Sequence, residues 1–266
     1  MSDGSVEADA EAEAERAGLQ RAREAGIHRI SLPTPFLVGR VNCWLIQDDP
    51  LTLFDTGPNS GKTLDELERA LVDLGHDVSD LSLIVITHQH MDHLGLLEIL
   101  ARRSGAEIAA LDLLGPYLRN FSASAAADDE FAMEIMRRHG VPADLATALG
   151  AVGAAFRAFG SSAQVTTPLR DGDSLTLRDR TLTALHRPGH SPTDTIFWDE
   201  RRRILLAGDH LLARISSNPL VSRPPSAAPD AGAAAVADRP RALIGYIASL
   251  RATRELPATL VLGGHG

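Results

Sequence analysis

Three histidines and an aspartate occur within a six-residue segment, at His88, His90, Asp92 and His93. Imidazole nitrogens and carboxylate oxygens are ligands that suit zinc, and also iron or manganese. Chance rarely places this spacing at the end of a strand, so a surface or capping role alone explains it poorly. The segment therefore predicts a metal site and metal-assisted chemistry.

The neighbouring sequence places this cluster in a loop between a strand and a helix. Residues 81–87 form an apolar run that is typical of a buried strand. A helix is expected from His93 to about Arg103, ending at Gly105. Because the side chains of a short loop can converge on one point, this position suits ligands of a common metal ion.

Hydrophobic periodicity predicts the other elements of the chain. Strands are expected at 27–32, 41–46, 51–54, 107–110, 174–177, 181–185, 195–198, 203–206 and 259–262. A capping box that starts at Thr63 predicts a helix to Leu74. Two later helical segments carry apolar faces, namely Leu145, Leu149, Val152, Phe156 and Phe159, and then Leu243, Tyr246, Ile247 and Leu250. Two β-rich halves therefore flank a helical insertion at about 112–160.

The composition indicates a globular domain that acts on a small molecule. Acidic residues outnumber basic residues by 35 to 26, and this balance argues against a nucleic-acid surface. The chain has no apolar run long enough to span a bilayer and no secretory signal at its start. The single cysteine, Cys43, fits a reducing compartment. A cytoplasmic location is expected, and the oligomeric state stays open.

Two segments are expected to lie outside the folded core. Residues 1–26 form an acidic, Ala/Glu-rich N-terminal tail, which is either a solvated helix or disordered. Residues 221–238 are rich in Pro, Ala and Gly, and this composition predicts a mobile loop. The catalytic domain is then expected at 27–266.

Four more motifs follow one another along the chain, each next to glycine at the end of a predicted strand. They are Phe-Asp-Thr-Gly-Pro with Asp55, Arg-Pro-Gly-His-Ser with His190, Ala-Gly-Asp-His with Asp209, and Gly-Gly-His-Gly with His265. With the histidine cluster, this ordered set resembles the metallo-β-lactamase superfamily over residues 27–266. The resemblance implies an α/β fold, an αββα four-layer sandwich of two mixed β-sheets flanked by helices.

The resemblance also implies a site for two divalent metal ions, expected to be zinc, with iron or manganese as alternatives. It implies two ligand sets joined by a bridging carboxylate: His88, His90 and His190; Asp92, His93 and His265; and Asp209 between them. Asp55 would orient ligand groups rather than bind metal. Two cations about 3.5–4 Å apart can hold and activate a shared hydroxide. That hydroxide would attack the substrate, with Asp92 relaying the proton and Asp209 holding the bridge.

A bridging carboxylate at Asp209 is expected in the glyoxalase II-like, lactonase-like and phosphodiesterase-like branches of this superfamily, rather than in its true β-lactamases. Ester, thioester or lactone hydrolysis therefore ranks first. One alternative is an oxidoreductase similar to the mononuclear iron persulfide dioxygenases. Another is a phosphodiesterase or nuclease, which the acidic charge disfavours. The insertion would roof the pocket, and Phe131, Met133 and Phe156 hint at an apolar acyl substrate.

The proteins that the chain resembles continue beyond the last metal histidine, whereas this sequence stops one residue after His265. A C-terminal element is therefore expected to be missing or truncated. A ligand so close to a chain end should fray, so the metal held by His265 is expected to bind more weakly than the metal held by His88, His90 and His190. His186 and His210 flank motif turns, and for both a structural role is expected.

Overall fold

The first sheet carries the histidine motif at the end of one of its parallel strands. The computed structural model describes residues 3–225 and 240–266. Within them, the first sheet has the strands β1 (Ile27–Leu32), β2 (Val41–Ile46), β3 (Thr52–Phe54), β4 (Leu83–Ile86), β5 (Glu107–Leu111) and β6 (Thr167–Leu169), in that spatial order. The pairs β1/β2 and β2/β3 are antiparallel, and the remaining pairs are parallel. The sheet is therefore mixed, as the resemblance implied.

The second sheet is built from the later strands and packs face to face with the first. Its strands are β7 (Ser174–Thr176), β8 (Thr181–His186), β9 (Thr195–Asp199), β10 (Ile204–Gly208) and β11 (Leu260–Gly263), with β11 beside β10 at one edge. The pair β10/β11 is parallel, whereas β7/β8, β8/β9 and β9/β10 are antiparallel. Phe54 and Phe197 meet edge to face between the sheets, with ring centroids 5.0 Å apart. Burial of the inner faces of both sheets forms the core that holds them together.

Helices flank the two sheets and complete the sandwich. The described α-helices are α1 (Asp3–Glu24), α2 (Gly61–Asp73), α3 (Met91–Leu94), α4 (Leu97–Ser104), α5 (Gly115–Arg119), α6 (Phe121–Arg138), α7 (Ala143–Phe156) and α8 (Ala242–Arg254). Leu67 and Leu71 of α2 and Leu97 and Leu100 of α4 pack on the outer side of the first sheet. Leu256, just after α8, packs on the outer side of the second. The αββα arrangement expected from the motifs is therefore present.

Two details of the sequence-based assignment change. The N-cap of α2 is Ser60 rather than Thr63, because the Ser60 hydroxyl accepts a hydrogen bond from the Thr63 backbone N–H. The expected single helix after the histidine motif is divided into α3 and α4. The N-terminal tail is helical from Asp3 to Glu24. Most of the expected mobile loop, residues 226–238, lies outside the described residues.

Much of the apolar stripe predicted on α7 is exposed. Leu145, Leu149 and Val152 are each about half exposed. The opposite face packs on α6 through small residues, and a side chain at Gly150 would collide with Met133. Close approach of two helices requires small residues at the contact, so the glycine and alanine positions decide which face is buried.

The described part of the chain contains no helix with the length and apolar composition needed to cross a bilayer.

Candidate metal centre

Five loops bring the predicted site residues to one edge of the sandwich. Asp55 follows β3, the histidine cluster follows β4, His190 lies between β8 and β9, and Asp209 and His265 follow β10 and β11. Backbone hydrogen bonds join the two sheets at this edge: Thr195 N donates to Thr87 O (3.0 Å), and Asn42 N donates to Gly264 O (2.6 Å). Groups far apart in sequence therefore meet where the strand ends of both sheets converge.

The first cluster consists of three imidazoles whose ring nitrogens lie close to one another. His90 Nδ1 lies 2.9 Å from His88 Nε2 and 3.0 Å from His190 Nε2. Burial, together with the neighbouring imidazoles, lowers the pKa of His90 to about 3. Burial also lowers the pKa of His88 and His190. Neutral imidazole is the form that binds metal ions, so the cluster is prepared for a cation at neutral pH.

The second cluster combines two imidazoles with a carboxylate. Potential ligand atoms of Asp92, His93 and His265 lie within 4.8 Å of one another. His265 Nε2 is 3.4 Å from Asp92 Oδ2. Burial opposes protonation of His265, but the neighbouring carboxylates of Asp209 and Asp92 raise the pKa to about 9. The negative charge around this cluster therefore favours a bound cation.

The Asp209 carboxylate lies between the two clusters. Its Oδ2 atom is 3.5 Å from His190 Nε2 and 3.4 Å from His265 Nε2, and its Oδ1 atom is 3.5 Å from His93 Nε2. Burial raises the pKa of Asp209, but the surrounding imidazoles, His93 first, hold it well below its usual range. An ionised carboxylate that reaches nitrogen atoms of both clusters can contribute a ligand atom to a cation held by either of them.

Asp55 contacts the centre through His93. It accepts hydrogen bonds from His93 Nδ1 at 2.8 Å and from Thr87 N at 2.9 Å. This arrangement places the His93 proton on Nδ1 and turns Nε2 toward Asp209. The backbone of Asp55 is left-handed, with φ 58°, which is uncommon for a residue with a side chain. Such strain persists where the surrounding structure enforces it, and here it aims the carboxylate at His93.

Two backbone carbonyls contact the Nδ1 atoms of other histidines, as Asp55 contacts His93 Nδ1. Neither contact was predicted from the sequence. His265 Nδ1 lies 2.8 Å from Arg40 O, and His190 Nδ1 lies 3.0 Å from Asn218 O. Every residue carries a backbone carbonyl, so residue type gives no signal for this role. Only the positions of the two loops could reveal it.

The donor set fits a divalent cation. His93 Nε2, His265 Nε2 and Asp209 Oδ1 are buried polar atoms without a hydrogen-bond partner within the described part of the chain. Buried polar atoms of folded proteins are normally paired, so a convergent unpaired group indicates a missing ligand. Imidazole nitrogen and carboxylate oxygen match the preferences of zinc.

Gly264 lets the two strand ends approach this closely. A Cβ atom there would overlap Asp209 Oδ1 and would lie 2.8 Å from His93 Cε1. Real Cβ atoms are not found at such separations, so only glycine fits without displacing a member of the centre.

His265 does not fray, contrary to the expectation from its place near the chain end. Its side chain is buried, Val41 pairs with it as an isolated β-bridge, and Gly264 N donates to Gly208 O at 2.7 Å. Backbone that is buried and bonded is held in place whatever its sequence position. The reason for expecting a weaker metal at His265 is thereby removed.

The two ambiguous histidines lie outside the clusters, as expected. His186 Nε2 contacts Pro192 O at 2.9 Å. His210 is fully buried, and its Nε2 atom lies 2.9 Å from Thr253 Oγ1. Burial, with the positive charge of Arg187, lowers the pKa of His210 to about 4, so the ring is neutral.

The expected apolar lining is only partly available to a substrate. Phe131 is buried in the insertion and cannot contact a ligand. Phe156 packs edge to face on Phe36, with ring centroids 5.1 Å apart, and Phe159 joins the same aromatic cluster. Beside Phe36, Leu37 is fully exposed. An apolar surface is therefore present, on the β1–β2 loop as well as the insertion.

This fold and this donor set define a metallo-hydrolase. The chain belongs to the metallo-beta-lactamase superfamily, whose pattern it matches over residues 37–265.

Individual relatives agree with this assignment. The chain is 32% identical over 237 residues to the probable metallo-hydrolase YqjP of Bacillus subtilis, covering 89% of this chain and 70% of YqjP. A metallo-beta-lactamase family protein from Thermus thermophilus superposes with a TM-score of 0.74 at 26% identity, covering 91% of this chain and 73% of that one. A 46-residue stretch, 17% of this chain, is 48% identical to 16% of the acyl-coenzyme A thioesterase MBLAC2 of Bos taurus.

Proposed function

We propose that the protein is a binuclear metallo-hydrolase that cleaves ester, thioester or lactone-type bonds, as in the glyoxalase II-like and lactonase-like branches. The observation that carries the proposal is the Asp209 carboxylate, which has one oxygen toward His93 and the other toward His190 and His265. A single carboxylate shared by two donor clusters suits a pair of cations better than a single ion.

Each cluster would hold one cation, with Asp209 contacting both. The proposed ligands are His88, His90 and His190 in the first set, and Asp92, His93 and His265 in the second. Two bound divalent cations supply Lewis acidity and lower the pKa of water toward neutrality, so neither serine nor cysteine is needed as a nucleophile. Zinc is the proposed metal, because nitrogen ligands dominate the site.

Asp92 is the proposed proton carrier. Burial raises the pKa of its carboxyl, but His93 and His265 lower it below the usual value, so it is ionised at neutral pH. Its side chain is buried at the edge of the second cluster. A carboxylate in this position can accept a proton from the nucleophile and pass it to the leaving group.

Two observations support an acyl substrate. The name of the partial relative, an acyl-coenzyme A thioesterase, describes thioester chemistry in that protein. On this chain, Leu37 is exposed beside the cluster of Phe36, Phe156 and Phe159. Because apolar surface favours apolar ligands, we propose a small-molecule substrate with an apolar acyl group, in a cytoplasmic setting.

The test is a panel of aliphatic thioesters, lactones, β-lactams and simple phosphodiesters, assayed on zinc-loaded protein. Asp209→Ala should lose activity by about a hundredfold or more, because it removes the shared contact. Asp73→Ala, which removes an exposed acid on α2, is the matched control. Unchanged activity in Asp209→Ala would refute the bridging role.

The same panel separates the alternatives. Faster cleavage of a phosphodiester than of every thioester and lactone would identify a phosphodiesterase. Metal analysis of the purified protein that finds one tightly bound iron per chain would favour the oxidoreductase. Two equivalents of zinc with thioester or lactone turnover is the result expected here.

A further inference from the structure

Helix α8 buries a polar face and exposes an apolar one. Tyr246, Ser249 and Thr253 follow one another at helical spacing and are buried, at 9%, 6% and 5% exposure. Leu243 and Ile244 are about 60% exposed. Of the apolar face predicted from the sequence, Tyr246 is buried, whereas Leu243 and Ile247 are exposed. Burying hydroxyl groups while leaving leucine and isoleucine in water is unfavourable unless the hydroxyls make specific bonds.

Each of the three hydroxyls bonds to a turn that carries a proposed metal ligand. Ser249 Oγ donates to Pro188 O at 2.8 Å, two residues before His190. Tyr246 Oη donates to the backbone carbonyl of His210 at 3.1 Å, next to Asp209. Thr253 Oγ1 lies 2.9 Å from His210 Nε2. One face of one helix therefore contacts both turns.

Helix α8 packs tightly against these turns. A Cβ atom at Gly189 would lie 2.6 Å from Tyr246 Cβ and 2.8 Å from its Cα atom, so the turn rests directly on the helix. The ring of Tyr246 also meets the His210 ring edge to face, with centroids 5.7 Å apart. A shift of α8 would move both turns.

We propose that Tyr246, Ser249 and Thr253 are positioning residues, which hold the Asp209 and His190 turns at the separation that the metal centre requires. This inference rests on the proposed function, since it presumes that both residues bind metal. Helix α8 would thereby maintain the distance between Asp209 Oδ2 and His190 Nε2, which is 3.5 Å. Outer contacts of this kind typically alter metal affinity by about 10–100-fold when removed.

The experiment compares Thr253→Val with Thr253→Ser in the full chain. Valine has nearly the same shape as threonine without the hydroxyl, whereas serine keeps the hydroxyl. Affinity for Co²⁺ is measured by equilibrium dialysis, and the visible absorption of the bound Co²⁺ reports ligand geometry. Thr253→Val should bind about tenfold more weakly with an altered spectrum, and Thr253→Ser should resemble the unmodified protein.

Two further variants separate positioning from helix stability. Ala252→Gly weakens α8 at an exposed position without removing a contact to either turn, so it should keep the affinity and the spectrum. Ser249→Ala should weaken Co²⁺ binding as Thr253→Val does. If Thr253→Val fails to fold without metal, Ser249→Ala alone carries the comparison.

The outcomes distinguish this inference from the proposed function. Unmodified protein that binds no Co²⁺ contradicts the proposed function itself. Unmodified protein that binds Co²⁺, with Thr253→Val and Ser249→Ala unchanged in affinity and spectrum, overturns the positioning role alone. Equal weakening by Ala252→Gly would also overturn it, because general loss of helix stability would then explain the effect.

Discussion

At the scale of single residues, the orientation of the imidazoles in the candidate metal centre depends on their outer ring nitrogens. These are the nitrogens that point away from the centre. Asp55 holds the outer nitrogen of His93, and the carbonyl of Arg40 holds that of His265. A ring held at one nitrogen has a defined tautomer and presents its other lone pair in a fixed direction. The residues that touch these outer nitrogens therefore affect metal affinity without contacting metal.

Asp55→Asn tests this idea at its strongest contact. An amide can present its NH₂ group to His93 Nδ1 and so favour the wrong tautomer. We expect zinc affinity to fall by about 10–100-fold, measured by competition with a chelator. Asp73→Asn on the surface of α2 should leave the affinity unchanged. An Asp55→Asn protein with normal affinity would show that this bond does not orient the ring.

Gly264→Ala tests the close approach of the strand ends. The new methyl group would overlap Asp209 Oδ1, so the carboxylate or the chain end must move. We expect bound zinc, measured by metal analysis of the purified protein, to fall from the two equivalents that we propose to about one. Gly61→Ala, which has open space around its Cβ position, is the control. Two retained equivalents would contradict the argument.

At the scale of elements, one ion pair ties the segment after β10 to the helical insertion. Arg223 Nε lies 2.9 Å from Asp128 Oδ1 on α6, and the Arg223 side chain is buried. Upstream on the same segment, the Asn218 carbonyl contacts His190 Nδ1, and Leu220 N donates to His190 O. The insertion thus reaches the first histidine cluster through this segment.

Asp128→Ala should loosen that segment. Removing a carboxylate from a buried guanidinium costs about 1–3 kcal/mol, to be measured by urea unfolding of the metal-free protein. Zinc affinity should fall in parallel, because the Asn218 carbonyl is less firmly placed. Glu130→Ala, an exposed acid on the same helix, is the control. Normal affinity with reduced stability would limit the ion pair to a structural role.

At the scale of the whole molecule, a buried ion pair links the two sheets and the N-terminal helix. Asp48 follows β2 in the first sheet, and Arg180 precedes β8 in the second, with 3.1 Å between Arg180 Nε and Asp48 Oδ2. Arg180 also donates to the carbonyl of Ala25 at the end of α1, at 2.6 Å. This contact holds together three parts of the chain.

Asp48→Asn should lower the unfolding free energy by about 3–5 kcal/mol at pH 7, because Arg180 then lacks its buried counter-charge. Burial raises the pKa of Asp48, but hydrogen bonds from Asp49 N, Arg180 and Asp179 N hold it below its usual value. The carboxylate therefore stabilises the fold above its unfolded pKa of about 3.9, and that contribution is lost as pH falls through the lower folded value.

Urea unfolding at several pH values tests whether the stabilisation by Asp48 decreases toward acid pH. The difference in unfolding free energy between Asp48→Asn and the unmodified protein should be largest at neutral pH and should shrink below about pH 4. Asp49→Asn, the exposed neighbour, should give no such difference. A difference that widens toward acid would contradict the assignment.

The structure brings the residues of these motifs together, for a local reason. Asp55, His190 and Asp209 each lie in a glycine-containing loop after a strand, and the strand ends of a sandwich meet at one edge. By contrast, the apolar faces predicted on α7 and α8 include exposed residues, among them Leu145 and Leu243. A helix buries the face that its neighbours contact, and here those contacts are small residues in α7 and hydroxyls in α8.

By itself, the sequence determined the superfamily, because the ordered motifs are specific, and the resemblance to that superfamily implied the sandwich and the clustered side chains. Only the tertiary structure decided that His265 is held firmly, and that the carbonyls of Arg40 and Asn218 contact the outer nitrogens of two rings. These features depend on distances between segments up to 225 residues apart. Backbone groups and packing set those distances, and neither carries a residue-type signal.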